Sequence, residues 1–219
     1  METNRDYYSY DREELLEYVP KDVQTLLSVG CGGGVTEAKL VKRGVQVTGI
    51  ELNPDASAAA TERGIEVLEG DVTAIADTLA DRKFDCLLYA DVLEHLPDPI
   101  LVLSGHVPLL NDGGTVIISV PNFRSYRVFW QLFVRGHIRY EDKGIFDRTH
   151  LRMTTRKMVL EWLDEVGLTK TAMRHLIYGR KIKLLSAITF GLFNDFLAAQ
   201  VVVVGKKGQE ISGEIGQTA

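Results

Sequence analysis

Residues 26–40 read Leu-Leu-Ser-Val-Gly-Cys-Gly-Gly-Gly-Val-Thr-Glu-Ala-Lys-Leu, and this stretch decides the fold. The apolar run at its start is typical of a buried parallel strand, and a helical pattern begins at Val35. Glycines stand between the two at positions 30, 32, 33 and 34. Because glycine has no Cβ, such a turn lets backbone N–H groups approach a ligand closely. The stretch therefore predicts a strand, a glycine turn and a helix that together bind a ligand.

The spacing of these glycines separates two classes of ligand. A dinucleotide fingerprint, G-x-G-x-x-G, requires a glycine at position 35, where this chain has Val35. The pattern present is G-x-G-x-G, formed by Gly30, Gly32 and Gly34. A nicotinamide-dependent oxidoreductase is therefore the less favoured of the alternatives.

Length and composition predict one ordinary globular domain. The chain has 219 residues, of which 45% are hydrophobic and 25% charged, as in a typical single α/β domain. A net charge of −5 gives no reason to expect a nucleic-acid partner. Two cysteines make no disulfide framework, and we expect no secretory signal. We therefore expect a cytoplasmic protein with a single domain over residues 1–219 and a flexible tail at 207–219.

Apolar runs and helical patterns alternate along the first half of the chain. A second strand is predicted at 45–50 and ends at Glu51, whose carboxylate can accept hydrogen bonds from ribose hydroxyls. A third, at 65–68, precedes Asp71, which can accept from an adenine amino group or cap the next helix. Further strands are predicted at 84–89 and 115–120. The alternation predicts a parallel, doubly wound sheet with right-handed crossovers.

Three segments outside this alternation carry further predictions. Residues 11–19 read as a short helix capped by Asp11, and Asn111 to Gly114 read as a turn. Residues 121–150 are rich in aromatic residues and arginines, which predicts an acceptor-side insertion or lid. Its arginines at positions 124, 127, 135 and 139 can grip an anionic group or form a solvated face.

Residues 183–193 predict a short apolar helix near Lys181 and Lys183. The apolar stretch within it has about half of the roughly 20 residues that a membrane-spanning helix needs. Packing in the core or under the lid is expected of it, in preference to peripheral contact with a membrane.

Four motifs give the chain a resemblance to class I S-adenosylmethionine (SAM)-dependent methyltransferases. They are the glycine motif at 26–34, Gly-Ile-Glu-Leu-Asn-Pro at 49–54, Glu-Gly-Asp-Val at 69–72, and Ala-Asp-Val-Leu-Glu-His-Leu-Pro-Asp-Pro at 90–99. The stretches at 7–16 and 144–156 resemble those of bacterial methyltransferases associated with glycosyltransferase and polysaccharide genes.

This resemblance implies a Rossmann-like α/β fold, with a mostly parallel seven-stranded sheet, an antiparallel last strand and helices on both faces. It also implies SAM as cofactor. The implied SAM-binding residues are Gly30, Cys31, Gly32, Gly34, Glu51, Leu52, Asp71, Val72, Ala90 and Asp91. The chain departs from the family at Ser28, where an acidic residue is usual, and this departure weakens the implied water-mediated hold on the SAM amino group.

Methyl transfer needs no nucleophile on the enzyme, so the candidate catalytic residues are bases. His95 and His150 are the candidates, because imidazole titrates near neutral pH. The segment that contains Asp91, Glu94 and His95 also resembles the metal-binding segment of small-RNA 2′-O-methyltransferases and ubiquinone-pathway O-methyltransferases. His150 would complete such a site. No metal is expected, because two histidine ligands are unusual for Mg²⁺.

The function predicted from the sequence is O-methylation of a small hydroxylated, sugar-like molecule by a SAM-dependent methyltransferase. The arguments are the aromatic and basic insertion, which can cover a sugar-like ring, and the two histidines. A non-catalytic SAM-binding module is the main alternative. The sequence leaves the oligomeric state open.

Overall fold

The computed structural model describes residues 8, 10–75 and 77–209. A seven-stranded sheet forms its centre, with strand order β3-β2-β1-β4-β5-β7-β6. The strands are β1 (Thr25–Val29), β2 (Gln46–Glu51), β3 (Glu66–Glu69), β4 (Phe84–Ala90), β5 (Leu110–Pro121), β6 (Leu168–Leu176) and β7 (Gln200–Lys207). β7 pairs antiparallel with both β5 and β6, and the first five strands pair in parallel.

Seven α-helices accompany the sheet in the described part of the chain. They are α1 (Glu37–Val41), α2 (Pro54–Glu62), α3 (Pro99–His106), α4 (Tyr126–Phe129), α5 (Arg156–Glu165), α6 (Arg180–Ile188) and α7 (Asn194–Leu197). Asn53 and Asp98 cap α2 and α3 through their side chains, and a proline opens each helix. None of the helices in the described residues is long and apolar enough to cross a bilayer.

Side chains that alternate along the strands build two cores, one on each face of the sheet. Leu27 and Leu87 belong to one core together with Val159 of α5. Leu26 and Leu88, their neighbours along the strands, belong to the other core. Because both faces are covered, the central strands are predominantly apolar, and polar side chains within them, such as Ser28 and Ser119, are buried and hydrogen-bonded. The predicted fold class is confirmed.

The order of the strands reverses between β1 and β4, because β2 and β3 lie on one side of β1 and β4 and β5 on the other. In an open parallel sheet, ligands bind at the carboxyl ends of the strands on either side of such a point. The loops after β1, β2, β3 and β4 therefore border one crevice.

Four local predictions differ from the structure. The helix predicted at 11–19 is one 3-10 turn, Glu13–Leu15, because Arg12 lies at its start and its guanidinium binds groups of the sheet. The turn predicted at 111–114 lies within β5, where the pairing with β4 shifts register between Phe84 and Cys86.

The helix predicted at 183–193 begins earlier and ends at Ile188 as α6. No residue of α6 is buried, so the prediction that this segment packs in the core is wrong. The predicted tail starts at residue 207, but Lys207 ends β7 and donates to the Leu110 carbonyl oxygen. Residues 210–219 of that tail lie outside the described residues.

Candidate active site

The glycine turn after β1 has the backbone geometry that only glycine adopts without strain. Gly30, Gly32 and Gly34 have φ values of 67°, 53° and 71°. A Cβ on Gly34 would lie 2.3 Å from Cδ1 of Ile65, and a Cβ on Gly32 would lie 2.9 Å from the Tyr8 carbonyl oxygen. Conformation and close packing therefore both require the glycine pattern.

Glu51 is held at the end of β2 by two backbone N–H groups. Gly32 N donates to its Oε2 and Asn53 N to its Oε1, both at 2.8 Å. These bonds fix the carboxylate beside the glycine turn and leave lone pairs that can accept from ribose hydroxyls. The next residue, Leu52, is 68% exposed, which suits a side chain that covers one face of a base.

Hydrogen bonds hold two consecutive residues of the loop after β3, Asp71 and Val72. Asp71 Oδ1 accepts from the backbone N–H and the hydroxyl of Thr73, which lowers the pKa of Asp71. The Val72 carbonyl oxygen is 3.1 Å from Nε2 of the fully buried His106. Since that oxygen can only accept, His106 is protonated on Nε2 and accepts from the Tyr89 hydroxyl on Nδ1, at 3.0 Å. No sequence pattern pointed to His106, which lies among apolar residues of α3.

Ser28 has a carboxylate partner. Its hydroxyl donates to Oε1 of Glu37 at 2.7 Å, and both side chains are buried. Burial raises the pKa of Glu37, and the hydrogen bond from Ser28 opposes that rise. An acidic group thus lies beneath the glycine turn, although position 28 itself is not acidic. Cys31 is equally buried, and burial raises the pKa of its thiol, so it is unreactive.

Asp91 follows β4 with φ 57°, an uncommon value for a residue other than glycine. Its Oδ2 forms an ion pair with the guanidinium of Arg12, and its Oδ1 accepts from the Ser119 hydroxyl at 3.1 Å. Gln200 donates to both carboxylate oxygens. Arg12 is 3% exposed and its role was missed, because an arginine beside a short apolar segment usually faces solvent. This network joins the N-terminal segment to β4, β5 and β7.

A cluster of Glu94, His95 and His150 lies just beyond Asp91. One ligand atom of each residue lies within 4.8 Å of the others, with Nε2 of His150 at 3.9 Å from Oε1 of Glu94. The two imidazole rings meet edge to face at 4.7 Å. Glu94 is fully buried, and neither of its carboxylate oxygens has a hydrogen-bond partner in the described residues.

Burial decides the charge of this cluster. It raises the pKa of Glu94 to about 8 and lowers the pKa of both His95 and His150. At neutral pH and without a cation, Glu94 therefore keeps its proton and both imidazoles are neutral. The Asp91 carboxylate, which the resemblance adds to a metal site, is occupied by Arg12, Ser119 and Gln200 and does not join the cluster. Three of the four candidate ligands are thus brought together.

Asp147 and Thr149 fix the tautomer of His95. Nδ1 of His95 lies 3.3 Å from the Thr149 carbonyl oxygen and 3.1 Å from its hydroxyl oxygen. The carbonyl can only accept, and the hydroxyl donates its proton to Oδ1 of Asp147 at 2.6 Å. Nδ1 of His95 must therefore carry the proton, which leaves the lone pair on Nε2. Thr149 and Asp147 were missed as individual residues, although the motif at 144–156 contains them.

Two clefts lie in and beside the 121–150 segment, and one of them reaches His150 of the cluster. One, of about 360 Å³, is lined by aromatic and polar side chains that include Tyr126, Trp130, Arg127 and Glu141. The second is smaller, contains His150, and is mostly apolar. Both share Ile145 and Phe146 as walls, so the two clefts are neighbours, and the smaller one contains His150.

Comparison with known proteins identifies the family. Residues 9–170 match the family described as methionine biosynthesis protein MetW. The chain belongs to the MetW family. This MetW-family chain is also 32% identical over 167 residues to the ubiquinone biosynthesis O-methyltransferase of Stutzerimonas stutzeri, covering 70% of this chain and 71% of that one.

Other relatives match over shorter parts. The ubiquinone biosynthesis O-methyltransferase of Xylella fastidiosa strain M23 is 34% identical over 116 residues, or 49% of this chain and 47% of that protein. The chain therefore spans about half the length of that relative. A solved SAM-dependent methyltransferase from Archaeoglobus fulgidus superposes with a TM-score of 0.68 at 18% identity, over 93% of this chain and 94% of that one. This likeness confirms the class I methyltransferase fold for the MetW-family chain.

Removing Arg12 is expected to destabilise the fold. Arg12→Met leaves the Asp91 carboxylate without its cationic partner and lowers the free energy of unfolding by about 3–5 kcal/mol. Arg148→Met, which breaks an exposed pair with Asp142, is the control and costs less than about 1 kcal/mol. Denaturant unfolding of both variants measures the difference. Equal losses would show that the Arg12 network adds no stability.

Glu94 is expected to make stability fall as pH rises. Its pKa is about 8 in the folded protein and near its ordinary value of about 4.3 when unfolded, so the folded state binds the extra proton. Its contribution is fully present below about pH 4 and is lost as pH rises toward 8, by up to about 1.4 kcal/mol per pH unit. Glu94→Gln, unfolded in chelator-treated buffer, should gain stability over the wild type across this range. Parallel pH curves for the two proteins would mean that Glu94 ionises normally.

Proposed function

We propose that the chain is a SAM-dependent O-methyltransferase that acts on a small hydroxylated, sugar-like acceptor, with a neutral histidine as general base. The observation that carries the proposal is the pair of neutral imidazoles, His95 and His150, at the end of β4 beside the crevice of the methyltransferase fold. SAM supplies a methyl group on a sulfonium, which oxygen attacks in line. The protein must position the acceptor and take its proton.

The residues at the crevice suit SAM. The glycine turn gives a close backbone surface, Glu51 offers a fixed carboxylate, and Leu52 offers an apolar face. Asp71 Oδ1 accepts hydrogen bonds from the backbone N–H and the hydroxyl of Thr73. Its other oxygen, Oδ2, can accept from an adenine amino group. We assign Gly30, Cys31, Gly32, Gly34, Glu51, Leu52, Asp71, Val72, Ala90 and Asp91 to the cofactor as a proposal. Asp91 acts there by placing Arg12.

His95 is the better placed of the two bases. Its Nδ1 proton is committed to Thr149, so Nε2 is free to accept a proton from a hydroxyl. Burial holds its pKa below the ordinary value, which keeps the base unprotonated at neutral pH. His150 lies against it and can take the same role or pass the proton to solvent.

The larger cleft supports the sugar-like acceptor. Tyr126 and Trp130 offer flat faces for a ring, and Arg127, Arg135 and Glu141 offer hydrogen bonds to hydroxyl groups. A volume of about 360 Å³ suits a small ring-bearing molecule. The predicted association with glycosyltransferase and polysaccharide genes would agree with such an acceptor and remains part of the proposal.

A phenolic acceptor is the second candidate. The curated relatives are named ubiquinone biosynthesis O-methyltransferases, and the smaller cleft beside His150 is lined by apolar side chains such as Phe123, Ile138 and Met153. A hydroxyl on an aromatic ring would need the same base. Comparing the release of S-adenosylhomocysteine (SAH) with a panel of monosaccharides and with catechol separates the two candidates.

Cofactor binding is the first test. Calorimetry should show binding of SAM or SAH and none of NAD. Gly32→Val should abolish binding, because the branched side chain meets the Tyr8 carbonyl and the backbone is left-handed. Glu51→Gln keeps the shape but loses the charge and should weaken SAM binding by about 1–3 kcal/mol. Binding of NAD, or unchanged SAM affinity in both variants, would contradict the cofactor assignment.

Turnover is the second test. His95→Gln and His150→Ala should each lower kcat by roughly 10²–10⁴-fold while the Kd for SAM stays within about twofold. The acidic limb of the kcat/KM profile should lie below about pH 6.5, because both imidazole pKa values are lowered. His137→Ala, in an exposed position, is the matched control. SAM binding with no SAH release from any acceptor would favour the non-catalytic SAM-binding module.

A further inference from the structure

The structure exposes apolar side chains on two neighbouring segments. The exposed apolar face, as we define it, consists of Phe129, Phe133 and Phe196 together with Ile188, Phe190 and Leu192. Phe129 stacks on Phe133 at 5.1 Å and meets Phe196 edge to face at 6.0 Å, so α4, the π-helical turn after it and α7 are in contact. Ser186 of α6 donates to Asn194 of α7 at 2.6 Å. α7 therefore contacts both segments and links them to each other.

The turn after α6 presents one aromatic side chain at a cost in backbone strain. Phe190 is 98% exposed and has φ 50°, and it directly follows Thr189, the C-cap residue of α6. Glycine or asparagine is usual at such a position, because the left-handed conformation disfavours a larger side chain. Leu192, two residues on, is 81% exposed. A strained backbone that holds a fully exposed phenylalanine indicates a binding role for that side chain.

The two segments that carry the exposed apolar face are basic. The segments 121–140 and 176–199 contain seven arginines and lysines and one acidic residue, Asp195, in a chain whose net charge is −5. Asp195 is already paired with Arg124 and Arg156. Among the described residues, Arg180, Lys181 and Lys183 of α6 have no ion-pair partner, so their charge is available to a ligand.

We propose that the exposed apolar face rests on the surface of an anionic phospholipid bilayer. Exposed aromatic and aliphatic side chains with basic residues beside them match a membrane whose apolar interior lies beneath anionic headgroups. A second copy of this chain fits poorly, because its own face would bring more arginines and lysines and no free carboxylate. The contact is peripheral, since no helix in the described residues can span a bilayer.

Vesicle sedimentation tests the proposal with the full chain. Vesicles of equal parts phosphatidylglycerol and phosphatidylcholine should bind the protein, and pure phosphatidylcholine vesicles should bind it much less. Added salt should weaken binding. No affinity for the anionic vesicles above that for phosphatidylcholine alone would overturn the proposal.

Two sets of variants separate the contributions of the apolar and the basic side chains to vesicle binding. Phe190→Asn suits the left-handed backbone, so it should fold at least as well as the wild type while its vesicle affinity falls about tenfold. Leu101→Asn changes an apolar residue of α3 that is 63% exposed; it is the control and should keep its affinity. Lys181→Gln with Lys183→Gln should lower affinity about tenfold and flatten the salt dependence, whereas Lys157→Gln should not.

Measuring the oligomeric state distinguishes a second copy of this chain from a bilayer as the occupant of the exposed apolar face. Sedimentation velocity of the wild type and Phe190→Asn should give the same monomer mass. A dimer that Phe190→Asn dissociates, together with no vesicle binding by the wild type, would show that the face joins two copies and would overturn the proposal. SAM binding is measured alongside and should be equal in all variants.

Discussion

Two hydrogen bonds to the carbonyl oxygen of Glu94 hold the 147–152 segment against the turn after β4. Leu151 N and Arg152 N donate to this oxygen at 2.9 and 3.0 Å, and the Arg152 guanidinium donates to the Pro97 carbonyl nearby. Because Leu151 and Arg152 directly follow His150, their hydrogen bonds bring the His150 imidazole to His95, which lies 55 positions earlier in the chain. Without these bonds, the two imidazoles, the buried carboxyl group and the tautomer set by Thr149 would not form one site.

The sequence predicted those parts of the fold that repeat a local pattern. The first five strands, the glycine turn and the position of Glu51 follow from apolar runs, glycine spacing and the order of elements. The antiparallel last strand came from the family resemblance, which the comparisons bear out. The helix predicted at 11–19 is wrong because a tertiary contact overrides the local pattern. The Arg12 guanidinium binds Asp91 and Ser119 instead of facing solvent. The prediction that residues 184–193 pack in the core was wrong, because an apolar sequence does not show whether its side chains are buried or exposed.

The candidate site was predictable as a list of residue types but not as a network. His95 and His150 were selected because of their chemistry, and the structure brings them together. The tautomer of His95 depends on partners that no pattern shows, namely the Thr149 carbonyl oxygen and Asp147, which accepts the Thr149 hydroxyl proton. Asp91 was expected beside the cofactor or a metal, but its carboxylate is bound by Arg12, Ser119 and Gln200. Such assignments require distances.

Nitrogen chemical shifts of His95 test the central claim most directly, because they report which ring nitrogen carries the proton. In isotopically labelled wild-type protein at neutral pH, we expect a neutral His95 with Nδ1 protonated and the lone pair on Nε2. In Thr149→Val, which loses the hydroxyl, the Nδ1–H tautomer should become less dominant, and His106 serves as an internal reference that keeps its Nε2–H form. A His95 that is charged at neutral pH, or protonated on Nε2, would contradict the account.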